Sequence, residues 1–257
     1  MAQNVFLTGA SSGIGSALAR EFHRRGAFLG LVARRAEALE ALAAEFCGQC
    51  RIYAVDVTDR ASLIEAARDF ERCSGGADIV IANAGIGIGV QTEHLEDLAV
   101  FDRVLATNLT AVVGTFHPFI APMRARHRGK LAAISSVAGV RGLPGSEAYC
   151  PSKAALTNYC ECLRIGLHGS GISVVTIAPG FIRTPMTSDN PYPMPFLMDA
   201  QAFAQRAANA IERGASYRVI PWQMAWVGRL LRILPNWALD RLLAGRARKP
   251  RAGTTPG

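Results

Sequence analysis

For most of its length this 257-residue chain has no net charge and no tryptophan. Residues 1–212 contain nineteen basic and nineteen acidic residues, while residues 213–257 contain nine basic residues, one acid (Asp240) and all three tryptophans. The formal charge of +8 therefore sits wholly in the tail. Metal-site spacing is missing too. The five histidines, His23, His94, His117, His127 and His168, are scattered, and Cys47 and Cys50 form a lone CxxC with no second pair and no histidine nearby. A closed zinc site needs more ligands at close spacing, so metal-free chemistry is expected and no metal ligand is assigned. The six cysteines read as thiols of a cytoplasmic protein. Internal repeats, long linkers and low-complexity tracts are absent. The Met1-Ala2-Gln3-Asn4 start runs directly into an apolar run, so no secretory leader is expected.

What is present is alternation. Half of the residues are hydrophobic, enough for a sizeable core. Short apolar runs at 4–8, 28–32, 52–57, 79–82, 131–135 and 174–178 alternate with helical stretches. That pattern predicts an α/β protein, a parallel sheet with helices on both faces, and the length is ordinary for a single such domain.

The first run leads into Gly9-Ala10-Ser11-Ser12-Gly13-Ile14-Gly15 and then a helical segment from Ser16. Strand, glycine-rich turn and helix form the setting in which glycines let the backbone approach a pyrophosphate, with free N–H groups at the helix start. The spacing is GxxxGxG, so the GxGxxG fingerprint is not matched literally. After the second run come Ala33-Arg34-Arg35, where an NAD-binding unit would carry an acid for the ribose 2′-hydroxyl. Arginine instead suits a 2′-phosphate, which its planar fork grips, so NADP(H) is favoured over NAD(H).

Tyr149 and Lys153 stand four apart in Tyr149-Cys150-Pro151-Ser152-Lys153. On a helix they share a face. A cation fixed beside a phenol favours the phenolate, and a phenol tuned in this way can give a proton to a carbonyl oxygen or take one from an alcohol. Pro151 is tolerable if the helix begins here.

These segments resemble the short-chain dehydrogenase/reductase family. Thr8-Gly9-Ala10-Ser11-Ser12-Gly13-Ile14-Gly15 is similar to its cofactor motif TGxxxGIG, Asn83-Ala84-Gly85 to its NAG motif, and Pro179-Gly180-Phe181-Ile182-Arg183-Thr184 to its PGxIxT segment. Ser136 lies thirteen residues before Tyr149, as the family's serine does. The likeness runs in order from about residue 4 to about residue 220. It implies a Rossmann-type doubly wound parallel sheet and a catalytic set of Asn108, Ser136, Tyr149 and Lys153. Tyr149 would be the general acid in reduction, and Lys153 would lower its pKa and bond the nicotinamide ribose. Ser136 would bond the substrate oxygen, and Asn108 would anchor a water. With Gly9, Ser11, Ser12, Gly13, Ile14, Gly15, Arg34 and Arg35, the resemblance assigns Asp56, Val57, Asn83, Ala84, Gly85, Pro179, Gly180, Ile182 and Thr184 to the cofactor, Ile182 and Thr184 on the carboxamide side. Ser12 stands where some NADP-preferring relatives carry a base. The activity implied is hydride transfer between NADP(H) and a carbonyl or secondary alcohol. A catalytically idle nucleotide sensor and an epimerase or dehydratase are the alternatives. A homodimer or homotetramer is implied as well.

Two segments stand apart. Pro185 to Met198 is rich in Met, Pro, Phe and Tyr; in the family this region closes over the substrate, so an apolar substrate of medium or large size is expected. The division expected is 1–220 as dinucleotide-binding catalytic domain and 221–257 as a basic, Trp-bearing helical extension. Read as a helix, 222–234 gathers Trp222, Met224, Trp226, Val227, Leu230, Leu231, Ile233 and Leu234 into an apolar arc of about 200°. Arg229 and Arg232 lie on the other face, Gln223 is the misfit within the arc, and Pro235 ends the pattern. A second short helix is expected over 237–243. Such a segment suits an anionic membrane surface through residues 222–251, a pack over the substrate pocket, or a subunit interface. It is too short and charged to span a bilayer. No recognition motif accompanies the charge, so nucleic acid is not expected. A cytoplasmic location, peripheral to a membrane if the first reading holds, follows.

Overall fold

Five of the six apolar runs become strands largely buried on both faces, as strands sandwiched between helical layers must be, while the run at 52–57 falls in an exposed edge strand. A computed structural model describes residues 3–188, 190 and 193–251. The first half runs β1 (Asn4–Thr8), α1 (Gly13–Arg24), β2 (Phe28–Ala33), α2 (Ala36–Ala44), β3 (Cys50–Ala54), α3 (Arg60–Ser74) and β4 (Ile79–Ala82). Next come α4 (Glu96–Leu105), a π-helical turn (Ala106–Thr110), α5 (Ala111–Ala125), β5 (Gly129–Ile134), α6 (Tyr149–Gly166) and β6 (Ile172–Pro179). A small pair, β7 (Ile182–Arg183) and β8 (Met198–Asp199), precedes α7 (Ala200–Glu212), β9 (Tyr217–Ile220), α8 (Gln223–Ile233) and α9 (Asn236–Leu243).

Seven strands form one parallel sheet in the order β3-β2-β1-β4-β5-β6-β9. Register aligns Val5 with Leu29 on one side of β1 and with Ile79 on the other. One core, around Leu18, Phe22, Leu39 and Phe203, lies under α1, α2 and α7. The second, around Phe70, Phe116, Phe119 and Leu156, lies under α3, α5 and α6. The run Glu96–Ala125 is long and apolar enough to cross a membrane, yet half of its most apolar window is buried, and Phe116, Phe119 and Met123 pack in the second core. The chain reverses direction across the sheet between β1 and β4. In such sheets the crevice beyond the carboxyl ends of those strands is where ligands bind.

The expected α/β architecture is therefore what forms, with helices following the last strand. The tail divides much as its pattern foretold, with Pro235 between α8 and α9. Of the α8 arc only Met224 is buried; Gly228, outside the arc, also faces inward, against Val140, while Trp226, Leu230 and Ile233 stay exposed. Arg141 fastens the joint, donating to Leu234 O at 3.2 Å and Asn236 Oδ1 at 3.1 Å.

Candidate functional site

The turn after β1 is built for close approach. Gly9 holds φ +70°, and a Cβ there would come within 2.8 Å of the Ala84 backbone. A Cβ on Gly15 would overlap the Gly9 carbonyl. The helix start can therefore sit against the strand ends, with N–H groups facing outward. Asn83 fixes the turn from β4: its amide donates to Thr8 O at 3.0 Å and Gly9 O at 3.2 Å. Thr8 Oγ1 accepts from Asn83 N and Ala84 N.

From this turn a cleft of about 610 Å³ runs along the strand ends. Every residue expected at the cofactor lines it, from Gly9 through Thr184, as do Ser136, Tyr149 and Lys153. At one end Arg34 lies 3.7 Å from Asp56, and Arg35 donates to Ser11 Oγ at 3.1 Å. Both guanidinium groups stand at the rim, with no acid in the place of Ala33–Arg35. Asp56 Oδ1 accepts from Thr58 N and Oγ1 at 2.9 and 2.8 Å. Thr184 lies against Gly13 and is braced by Thr187, whose hydroxyl donates to Ile182 O at 2.7 Å. These features fit a nicotinamide dinucleotide: a glycine cradle for a pyrophosphate at one end and an apolar far wall.

At the other end, Tyr149 opens α6 and Lys153 follows one turn later, its Nζ 5.9 Å from the phenol ring centroid. Lys153 is buried and donates to Ile134 O at 2.9 Å; burial pushes its pKa down to about 8. Ser136 Oγ accepts from Ala138 N at 3.1 Å, capping a short turn after β5. Asn108 is fully buried and lies behind the cleft wall. Its Oδ1 accepts from Ile86 N at 2.8 Å, and its Nδ2 donates to Ile86 O at 2.9 Å and Ser152 Oγ at 3.0 Å. The π turn at Ala106–Thr110 carries it there, a local widening often found at functional sites. Sequence reasoning missed Ser152, whose hydroxyl also donates to Tyr149 O at 2.7 Å and so links two motifs.

It also missed Lys249, whose Nζ lies 5.1 Å from the centroid of the Tyr149 ring. Its approach from the tail follows no local pattern. Of the expected lid, Asp189, Pro191 and Tyr192 lie outside the described residues; Met186, Phe196 and Leu197 are exposed.

A nucleotide cleft at the switch point of a parallel sheet, with a tyrosine–lysine pair at its inner end, defines a nicotinamide-dependent oxidoreductase class. The short chain dehydrogenase family model matches residues 3–193, and the chain belongs to that family. An uncharacterized oxidoreductase of Myxococcus xanthus is 37% identical over 244 residues, 93% of this chain and 95% of the relative. The solved NADP complex of ElxO superposes with a TM-score of 0.75 at 24% identity, covering 85% of this chain and 96% of that one. For the 3-ketoacyl-(acyl-carrier-protein) reductase of Brucella melitensis complexed with NADH, the TM-score is 0.77 at 24% identity, over 84% and 95% of the two chains.

Proposed function

We propose that this enzyme uses NADP(H) to interconvert a carbonyl and a secondary alcohol, with Tyr149 as general acid in reduction and general base in oxidation. The observation that carries the reading is the Tyr149–Lys153 pair on the first turns of α6, opening on the same cleft as the Gly9–Gly15 turn. When bound, the nicotinamide supplies or accepts hydride. The chain's own groups do the rest. Ser136 uses an acceptor lone pair on Ala138 N, which leaves its O–H to donate to a substrate oxygen. Lys153 spends one proton on Ile134 O and keeps two for ribose hydroxyls. Asn108 acts through others, holding Ile86 and Ser152 in place. Arg34 and Arg35 support the preference for a 2′-phosphate. Met186 and the exposed Phe196 and Leu197 support an apolar body on the substrate.

A screen of NADPH oxidation over ketones and aldehydes, with NADH in parallel, tests this. Tyr149→Phe should retain NADPH binding and lose about 10²–10⁴-fold in kcat/KM. Activity near wild type in that variant rejects the acid–base role, and a preference for NADH rejects the arginine assignment.

The reading extends to the tail, taken as a unit over 221–257. Trp222, Trp226, Leu230, Ile233 and Trp237 are each more than half exposed, beside Arg229, Arg232 and Arg241. The exposed apolar and cationic groups of α8 and α9 make a face that complements an anionic lipid surface. We assign that face to peripheral membrane contact.

A further inference from the structure

Beyond α9 the chain folds back. Residues 246–251 run past the Tyr149 end of the cleft and are tied down on both sides of Lys249. On one side Arg248 Nη1 donates to Gln91 Oε1 at 2.9 Å, and a Cβ on Gly145 would come within 2.9 Å of Arg248 Cβ. On the other, Gly89 N donates to Pro250 O at 2.9 Å. The Arg251 fork meets Asp97 at 2.8 and 3.2 Å and Glu96 Oε1 at 2.8 Å.

This strap points one ammonium at the reaction centre. Lys249 Nζ stands 5.1 Å from the Tyr149 ring centroid. A Cβ placed on Gly87 would lie 2.6 Å from Nζ and 3.5 Å from both Met186 Sδ and Tyr149 Cδ2, so cation, phenol and lid methionine meet around one glycine. Arg251 is satisfied by carboxylates and Arg248 by an amide. Among the described residues, no carboxylate lies within salt-bridge distance of Lys249. Burial pushes its pKa down, which an anion at Nζ would reverse. A half-buried ammonium without a counter-ion is unfavourable unless something arrives to pair with it.

We propose that Lys249 is a specificity-determining residue whose ammonium receives an anionic group carried by the substrate within a few bonds of the reacting carbonyl. The substrate is then an oxo compound with a carboxylate or phosphate beside the carbonyl and an apolar remainder toward the lid. This rests on the reductase reading and narrows it.

The test compares a 3-oxo carboxylate, its methyl ester and a ketone bearing a phosphate monoester. Each is measured for NADPH-dependent kcat/KM and for Kd in the NADP⁺ complex by calorimetry. Wild type should favour an anionic compound over the ester by about ten- to a hundredfold, the range a hydrogen bond to a charged group gives. The carboxylate and phosphate arms tell which anion fits. Lys249→Met should bring that ratio close to one, and Lys249→Arg should restore part of it; Lys249→Gln replaces the Met variant should that one fail to fold. Equal treatment of ester and anion by wild type, or an unchanged ratio in Lys249→Met, overturns the proposal. Anion binding that depends on Lys249 without any hydride transfer sinks the reductase reading and leaves the anion site standing.

Discussion

Lys153 is held at a cost that pH can expose. Below about 8 its ammonium is charged in both the folded and the unfolded chain, and the burial penalty is fully present. As pH rises from about 8 towards 10.5, the folded chain loses the proton first and the penalty is relieved, so wild-type stability rises. Lys153→Met lacks this term. Without cofactor it should be more stable than wild type at pH 7, and the gap should shrink between pH 8 and 10. Urea midpoints at several pH values measure it; the lost bond to Ile134 O acts at every pH and leaves the trend intact. A pH-independent gap refutes the buried charge as its cause. The residue scale also separates what was legible from what was not. Tyr149 and Lys153 announce themselves by an i, i+4 spacing, and Gly9–Gly15 by a turn that only glycine permits. Ser152 and Lys249 carry no such mark. One is a common helix residue, and the other is a lone lysine in a basic stretch, which reads as a solvated charge until the fold brings it beside Tyr149, 100 residues earlier in sequence.

Elements follow the same division. β1 and β4 fall where continuous apolar runs put them, at Asn4–Thr8 and Ile79–Ala82. β3 starts two residues before and ends three before the expected 52–57, because pairing with β2 starts at Cys50. β9 was not expected, since Tyr217 and Arg218 are exposed at the sheet edge and only Ile220 is buried. The strap is illegible for a related reason: what orders it is a long-range ion pair. Asp97 is held below its ordinary value of 3.8, first by the Arg251 fork and then by the Gln91 N–H. Such a carboxylate stabilises the latch above its ordinary range and gives it up only as pH falls through the lowered value. The latch should therefore be constant from pH 5 to 8. Arg251→Ala should open it at any of these values, which hydrogen exchange at the Gly89 amide would register as at least about tenfold faster exchange. An unchanged rate means that the strap is held without Arg251.

At the scale of the whole molecule, net charge and tryptophan are segregated. A neutral catalytic body carries a tail with a charge of +8, and Arg229, Arg232 and Arg241 of that tail lie on helices whose inner faces are already used by Met224, Gly228 and Leu239. Trp226 is covered on one side by Arg229, whose guanidinium carbon is 5.1 Å from the ring, so the outer face is amphipathic as well as basic. Indole rings suit the headgroup level, and each arginine near an anionic bilayer contributes about 1 kcal/mol. The full chain should therefore co-sediment with vesicles containing phosphatidylserine and not with phosphatidylcholine alone, and added salt should release it. Arg229→Gln with Arg232→Gln should weaken that binding roughly thirtyfold. Trp222→Ser with Trp226→Ser should weaken it under all salt conditions, because the apolar part is not screened. A subunit interface makes the opposite forecast: the intact protein ignores vesicles, and the tryptophan pair shifts the sedimentation coefficient instead. That pattern would move the tail from the membrane to a second copy of the chain while leaving the Tyr149 centre as described.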